Sequence, residues 1–202
     1  MARRVGSEQS ATRTLILDTT EQLLIKEGYA VVSTRRVAAE AGLKPPLIHY
    51  YFPTTDDLFL AVYRRGAEQV YERLEEALAC SHPLRALWDF VTDTERTTLA
   101  IELMALANHR KVIRDELVIY TERTRRRQVE ALAPLLEEAG AESQAPPPLV
   151  AAVLMIGVAR ALVMESGVGI TLGHPETRAY VEDWLAGLDG TDKQPPEAHT
   201  SE

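Results

Sequence analysis

Between Ser33 and Phe52 the chain reads STRRVAAEAGLKPPLIHYYF, and this segment concentrates side chains that can grip a polyanion. Arg35, Arg36 and Lys44 are cations suited to phosphate, and Ser33, Thr34 and Tyr51 add hydroxyl donors. Lys44, His49 and Tyr50 carry the groups able to hydrogen-bond a base edge. Pro45, Pro46 and Leu47 offer apolar contact alone, of the kind a thymine methyl accepts.

Catalytic chemistry has no comparable constellation. The histidines are His49, His82, His109, His174 and His199; none follows a glutamate by three residues, and no H-E-x-x-H occurs. Gly167-Val168-Gly169 has no strand-like run before it, as a dinucleotide site requires. Cys80 is the single cysteine; it lacks an activating context and excludes an intramolecular disulfide. The expectation is a non-enzyme without metal or cofactor, in a reducing, cytoplasmic setting. No segment reads as a signal peptide or a membrane span; the most apolar stretch, Pro146 to Met164, contains Arg160 and reads as a buried helix.

The elements that must position the 33–52 segment follow from punctuation and periodicity. Leu15, Ile16, Leu23 and Leu24 recur at helical spacing from Ala11 to Glu27, and Gly28 ends that helix. Ser33 reads as the cap of a short helix carrying Val37, Ala38 and Ala41, closed by Gly42. Pro45 and Pro46 open a third helix at positions whose N–H groups lack intrahelical partners, and Phe52-Pro53 closes it. Short helix, glycine turn, second helix is the helix-turn-helix pattern. Val37, Leu43, Ile48 and Phe52 are its apolar anchors, which leave Lys44 to Leu47, His49 and Tyr50 on the outer face for a major groove.

Here a resemblance becomes specific. ILDTTEQLLIKEGY (Ile16 to Tyr29), STRRVAAEAGL and HYYFPTTDDL (His49 to Leu58) resemble, in order and without gaps, the first four helices of the TetR family of transcriptional regulators. The resemblance implies an all-α fold of about nine helices, with a three-helix DNA-binding domain at 10–60, a helical ligand-binding and dimerisation domain at 61–190 and a polar tail at 191–202. It implies a regulator, by expectation a repressor, that binds a pseudo-palindromic double-stranded operator as a homodimer and answers a small-molecule effector. Phosphate contacts fall to Ser33, Thr34, Arg35, Arg36, Tyr51 and Thr55. Thr55 stands where the family usually has lysine, and Lys44-Pro45-Pro46-Leu47 replaces the usual Ser/Thr-Gly start of the recognition helix.

Beyond Val62 the sequence supports architecture rather than motif. Helices are expected from Thr54 or Thr55 to Ala79, Leu84 to Thr92, Arg96 to Ala107, Arg110 to Ala139 with a kink at Pro134, Leu149 to Ser166, and Pro175 to Leu188. The resemblance implies that the last two form the dimer interface. Ala151, Ala152, Gly157, Val158 and Ala161 would allow close approach, and Tyr180, Val181, Trp184, Leu185 and Leu188 form a stripe. The resemblance also implies a ligand pocket among helices five to eight, with candidate liners Trp88, Phe90, Leu103, Met104, His109, Tyr120, Met155 and Met164. Arg160 calls for a carboxylate across the dimer or an acidic ligand, the structural pair being expected. Arg123, Arg125, Arg126 and Arg127, flanked by Glu122 and Glu130, read as a solvated, ion-paired face.

The net charge of −8 opposes a nucleic-acid partner for the chain as a whole. Its distribution does not: residues 1–52 hold seven Lys/Arg against five Asp/Glu, so the acidic excess lies in the remainder. The competing readings are a dimeric helical adaptor without DNA, and a helical enzyme.

Overall fold

The computed structural model describes residues 10–138 and 146–188, so the polar N-terminus, the loop centred on Gly140 and the tail at 191–202 lie largely or wholly outside the described residues. Among the described residues every regular element is helical: α1 (Ala11–Glu27), a 3-10 turn (Tyr29–Val31), α2 (Thr34–Glu40), α3 (Pro45–Tyr51), α4 (Thr55–Leu78), α5 (Pro83–Val91), α6 (Thr94–Ala107), α7 (Lys111–Glu138), α8 (Pro148–Gly167) and α9 (His174–Leu188).

The turn chemistry fixes the N-terminal unit. Ser33 Oγ accepts the Arg36 N–H at 3.2 Å and starts α2. Gly42, at φ +66°, lets the Leu43 N–H turn back to the Ala38 carbonyl at 2.8 Å, which closes α2 and aims the chain into α3. Thr54, not Thr55, caps α4. Its hydroxyl accepts the Asp57 N–H while Asp57 accepts the Thr54 N–H, a reciprocal capping box.

Two apolar cores lie along the molecule. The first joins Ile16, Leu17, Leu23 and Leu24 of α1 to Val37, Ile48, Phe52, Leu58, Phe59 and Val62, and also draws in Leu103, Leu106 and Ile113 from α6 and α7. The second holds Leu74, Leu84, Leu87, Trp88, Leu132, Met155, Leu162, Val181 and Leu185. The 24-residue α4 contributes to both, so it links the helix-turn-helix rigidly to the body.

Several expectations are corrected. Leu15 faces solvent, and Leu17 takes the inward place, since the buried stripe of α1 falls on 16/17, 20 and 23/24. α6 begins at Thr94 rather than Arg96, because Asp93 caps it by accepting the Arg96 N–H at 2.9 Å. Ala151 and Ala152 pack into the second core, as do Val181, Leu185 and Leu188, so they are not surface for a partner. α8 is also long and apolar enough by composition to cross a membrane, contrary to expectation, with a mean hydropathy of 1.9 and a third of that window buried.

Candidate nucleic-acid interface and cavity

The outer face of α3 is built from its back. Ile48 has no exposed surface, and Phe52 and Val37 are buried beside it. That leaves Lys44, Pro45, Pro46 and Tyr50 exposed, with Leu47, His49 and Tyr51 half-buried. Lys44 is the N-cap residue of α3, so its charge stands at the N-terminal end of the helix. Tyr50 and Tyr51 meet edge to face at 5.1 Å, and the Tyr51 hydroxyl shares a 2.8 Å hydrogen bond with Ser10 Oγ. Arg13 lies over the Phe52 ring at 5.3 Å.

On α2 the two arginines differ. Arg36 is held by Glu27 and Glu40 at 2.5 and 2.7 Å. Arg35 is exposed and, like Lys44, has no carboxylate partner among the described residues. Thr34 is buried, its hydroxyl 3.5 Å from His49 Nε2, which makes it a support for α3 more than a surface donor. Ser33 is exposed, and Thr55, half-buried, opens α4.

A cavity of about 490 Å³ opens between α1, α4, α6 and α7, with Phe90 and Val91 of α5 and Ile156 and Arg160 of α8 at its edges. Four expected liners are there: Phe90, Leu103, Met104 and Tyr120. The other four are elsewhere. Trp88 and Met155 fill the second core, His109 stacks on Tyr29 with centroids 6.1 Å apart, and Met164 is exposed on α8. Large apolar residues went to the core, which has first claim on them.

The wall is correspondingly more polar than expected. Arg73, Arg96, Arg125 and Arg160 line it, with Gln22, Gln69, Gln128, Thr121 and Thr124. Sequence reasoning missed most of these because an arginine on an amphipathic helix reads as solvated. Arg123, Arg126 and Arg127 do behave so, paired with Glu68, Glu122 and Glu75. Arg125, expected with them, instead turns into the cavity. The helical period supplied the missing signal: 121, 124, 125 and 128 share one face of α7.

The cavity touches the N-terminal unit directly through Glu21, Gln22 and Ile25 of α1. Arg65 ties α4 to Asp18 and Glu21 of α1. Glu102 of α6 accepts the Tyr29 N–H at 2.8 Å. Gly28 must be glycine there: it sits at φ +76°, and a Cβ would come within 3.3 Å of the Glu102 carboxylate.

Burial pushes the phenol of Tyr63, also on the wall, up to about 12. A raised phenol stabilises the fold fully below its ordinary value of 10, and that contribution disappears as pH climbs through about 12. In a 295 nm titration, one of the seven tyrosines is expected to ionise last, with unfolding beginning in that window. Tyr63→Phe is expected to remove the late step; a late step that persists in this variant belongs to another tyrosine.

Residues 16–62 match the family model of the tetR family of bacterial regulatory proteins. No curated protein matches the chain. Among solved structures it is similar to one from Rhodococcus sp. described as a TetR-family transcriptional regulator, at 20% identity and TM-score 0.70, covering 89% of this chain and 100% of that one. It is also similar to a transcriptional regulator from Saccharomonospora viridis in complex with choline, at 20% identity and TM-score 0.71, covering 88% and 96%. A third, a transcriptional regulator from Pseudomonas aeruginosa, gives 22% identity and TM-score 0.66, covering 89% and 90%. At these identities the likeness is one of fold.

Proposed function

We propose that this chain, whose residues 16–62 match the tetR family model, is a ligand-responsive repressor that binds a pseudo-palindromic operator as a homodimer. The observation that carries the reading is α3: its back is locked by Ile48 and Phe52, while Lys44 and Tyr50 stand free at the surface. Two such helices related by a two-fold axis would enter successive major grooves about 34–36 Å apart. Lys44 and Tyr50 are the base-edge candidates, aided by His49, with Pro45, Pro46 and Leu47 against thymine methyls. Phosphate contacts belong to Ser33, Arg35, Tyr51 and Thr55. Thr34 and Arg36, engaged by His49 and by Glu27 and Glu40, hold the unit in register.

The cavity is the effector site in this reading, supported by its contact with α1 and by the choline held in the S. viridis relative. A ligand lodged between α1, α4 and α6 favours a conformation with the two α3 helices at another spacing, and so releases DNA. Only a difference in affinity between the two conformations can drive the shift.

The test is binding to the DNA upstream of the protein's own gene against random duplex, by fluorescence anisotropy across salt concentrations. Specific binding that weakens steeply with salt is expected. Arg35→Ala is expected to lower the salt slope by about 0.9 for each phosphate left without its cation, hence about 2 for a dimer, with little change in sequence preference. No preference over random DNA would favour the adaptor.

A further inference from the structure

The positive charge on the cavity wall is not evenly balanced. Arg73 is exposed at the rim; Arg96 lies over the Phe90 ring at 4.9 Å with its Nε buried and unpartnered, its pKa pushed down by burial and then by Arg73, with Asp93 and Glu21 opposing. Arg125 of α7 and Arg160 of α8 have no carboxylate paired with them among the described residues. Neither has an ion pair or a side-chain hydrogen bond among the described residues, and Arg125 Nε is buried without a partner. Burial first, and then the Arg125 charge, push the Arg160 pKa down; no carboxylate raises it. A guanidinium keeps its proton, so the penalty stays in the fold. One turn along α7, Gln128 is only 5% exposed, and its Oε1 is buried with no partner on the same wall. Ile25, Val70, Leu99 and Leu103 line the cavity elsewhere.

We propose that Arg125 and Arg160 form the anion-binding end of the cavity, and that its ligand is an amphipathic organic anion, a carboxylate or a phosphate monoester, with a hydroxyl or amide N–H that satisfies Gln128. Two forked guanidinium groups match either anion with charge-assisted hydrogen bonds, and the apolar residues take the organic body. This rests on reading the cavity as the effector site.

The full-length protein is titrated by calorimetry and thermal shift with octanoate and phenyl phosphate, against octanamide, phenol and octylamine. At least one anion is expected to bind about tenfold or more tighter than its neutral counterpart and to raise Tm, and the better of the two identifies the anion. Arg160→Gln should bring that preference close to parity. The ligand-free variant should melt at or above wild type, because a buried like charge has gone. Arg125→Gln provides the same reading should the first variant not fold. Equal affinity for anions and neutral counterparts overturns the proposal, as does a preference that survives both substitutions. A ligand-free Arg160→Gln that melts several degrees lower overturns it in favour of a carboxylate from a second copy. Operator binding is scored separately: an anion that binds through Arg160 yet leaves DNA affinity unchanged sinks the effector reading and leaves the anion site standing.

Discussion

Leu154→Arg is expected to convert a dimer into a monomer and to lower operator affinity by about 10²–10⁴. Leu154 is 51% exposed on a stripe made by Val150, Leu154, Gly157, Ala161 and Met164. Those residues alternate at spacings of four and three, the seam by which two helices pack lengthwise. A side chain at Gly157 would meet open space, so no described residue covers the stripe at that point. The opposite side of α8 carries Ala152, Met155, Ala159 and Leu162 into the second core. One face buried in the chain and one apolar face left open is the pattern of an association surface. Arginine there would put an unpaired charge between closely approaching helices. Two tethered half-site contacts would then become single ones, which removes the effective-concentration gain. Light scattering after size exclusion, with anisotropy on the operator, measures both effects. A dimer that persists in the variant at micromolar protein would place the interface elsewhere.

This stripe also shows what was legible beforehand. The helix itself was plain from its composition, and so was its tendency to bury apolar surface. Which alanines look inward was not. Ala151 and Ala161 are the same residue type, yet one packs in the core and the other faces out, because the phase of a nearly all-apolar helix is set by its neighbours. α1 shows a milder form: Leu15 and Leu17 are equivalent in sequence, and only the packing of the first core against that side selects Leu17. The helix-turn-helix had no such ambiguity. Ser33, Gly42, the Pro45-Pro46 pair and Phe52-Pro53 act on their own backbone, so their effects could be read locally.

The cavity was the least legible part. Its liners come from six helices far apart in sequence, and a gap in packing leaves no local signature. The large apolar residues that suggest a pocket are the ones a core takes first, as Trp88 and Met155 were taken. Arg160 was visible as a charge in an apolar helix. Its relation to Arg125 depends on how α7 lies against α8, which neither segment encodes alone.

Ile48→Asp is expected to abolish operator binding while leaving the dimer in place. Ile48 has no exposed surface and sits in the first core with Val37, Phe52 and Leu58. Truncating such a residue alone costs about 2–5 kcal/mol, and a carboxylate without a partner adds to it. Unfolding of a chain this size shifts by about 2–4 °C per kcal/mol if the whole chain melts as one. The damage need not spread evenly, because Leu74, Trp88, Leu132 and Met155 belong to a separate core that Ile48 does not touch. The expected melt is therefore biphasic, with an early transition that removes α1 to α3 and a later one near that of the wild type. Loss of operator binding, and of the cavity wall that Glu21, Gln22 and Ile25 supply, should follow the early transition, while size-exclusion behaviour follows the late one. Retained operator affinity in this variant would mean that α3 is not the reading helix. A single early transition that takes dimer and cavity with it would mean that α4, which carries Leu58 in one core and Leu74 in the other, couples them into one cooperative unit. In that case the same coupling is the route by which an occupied cavity would move α3.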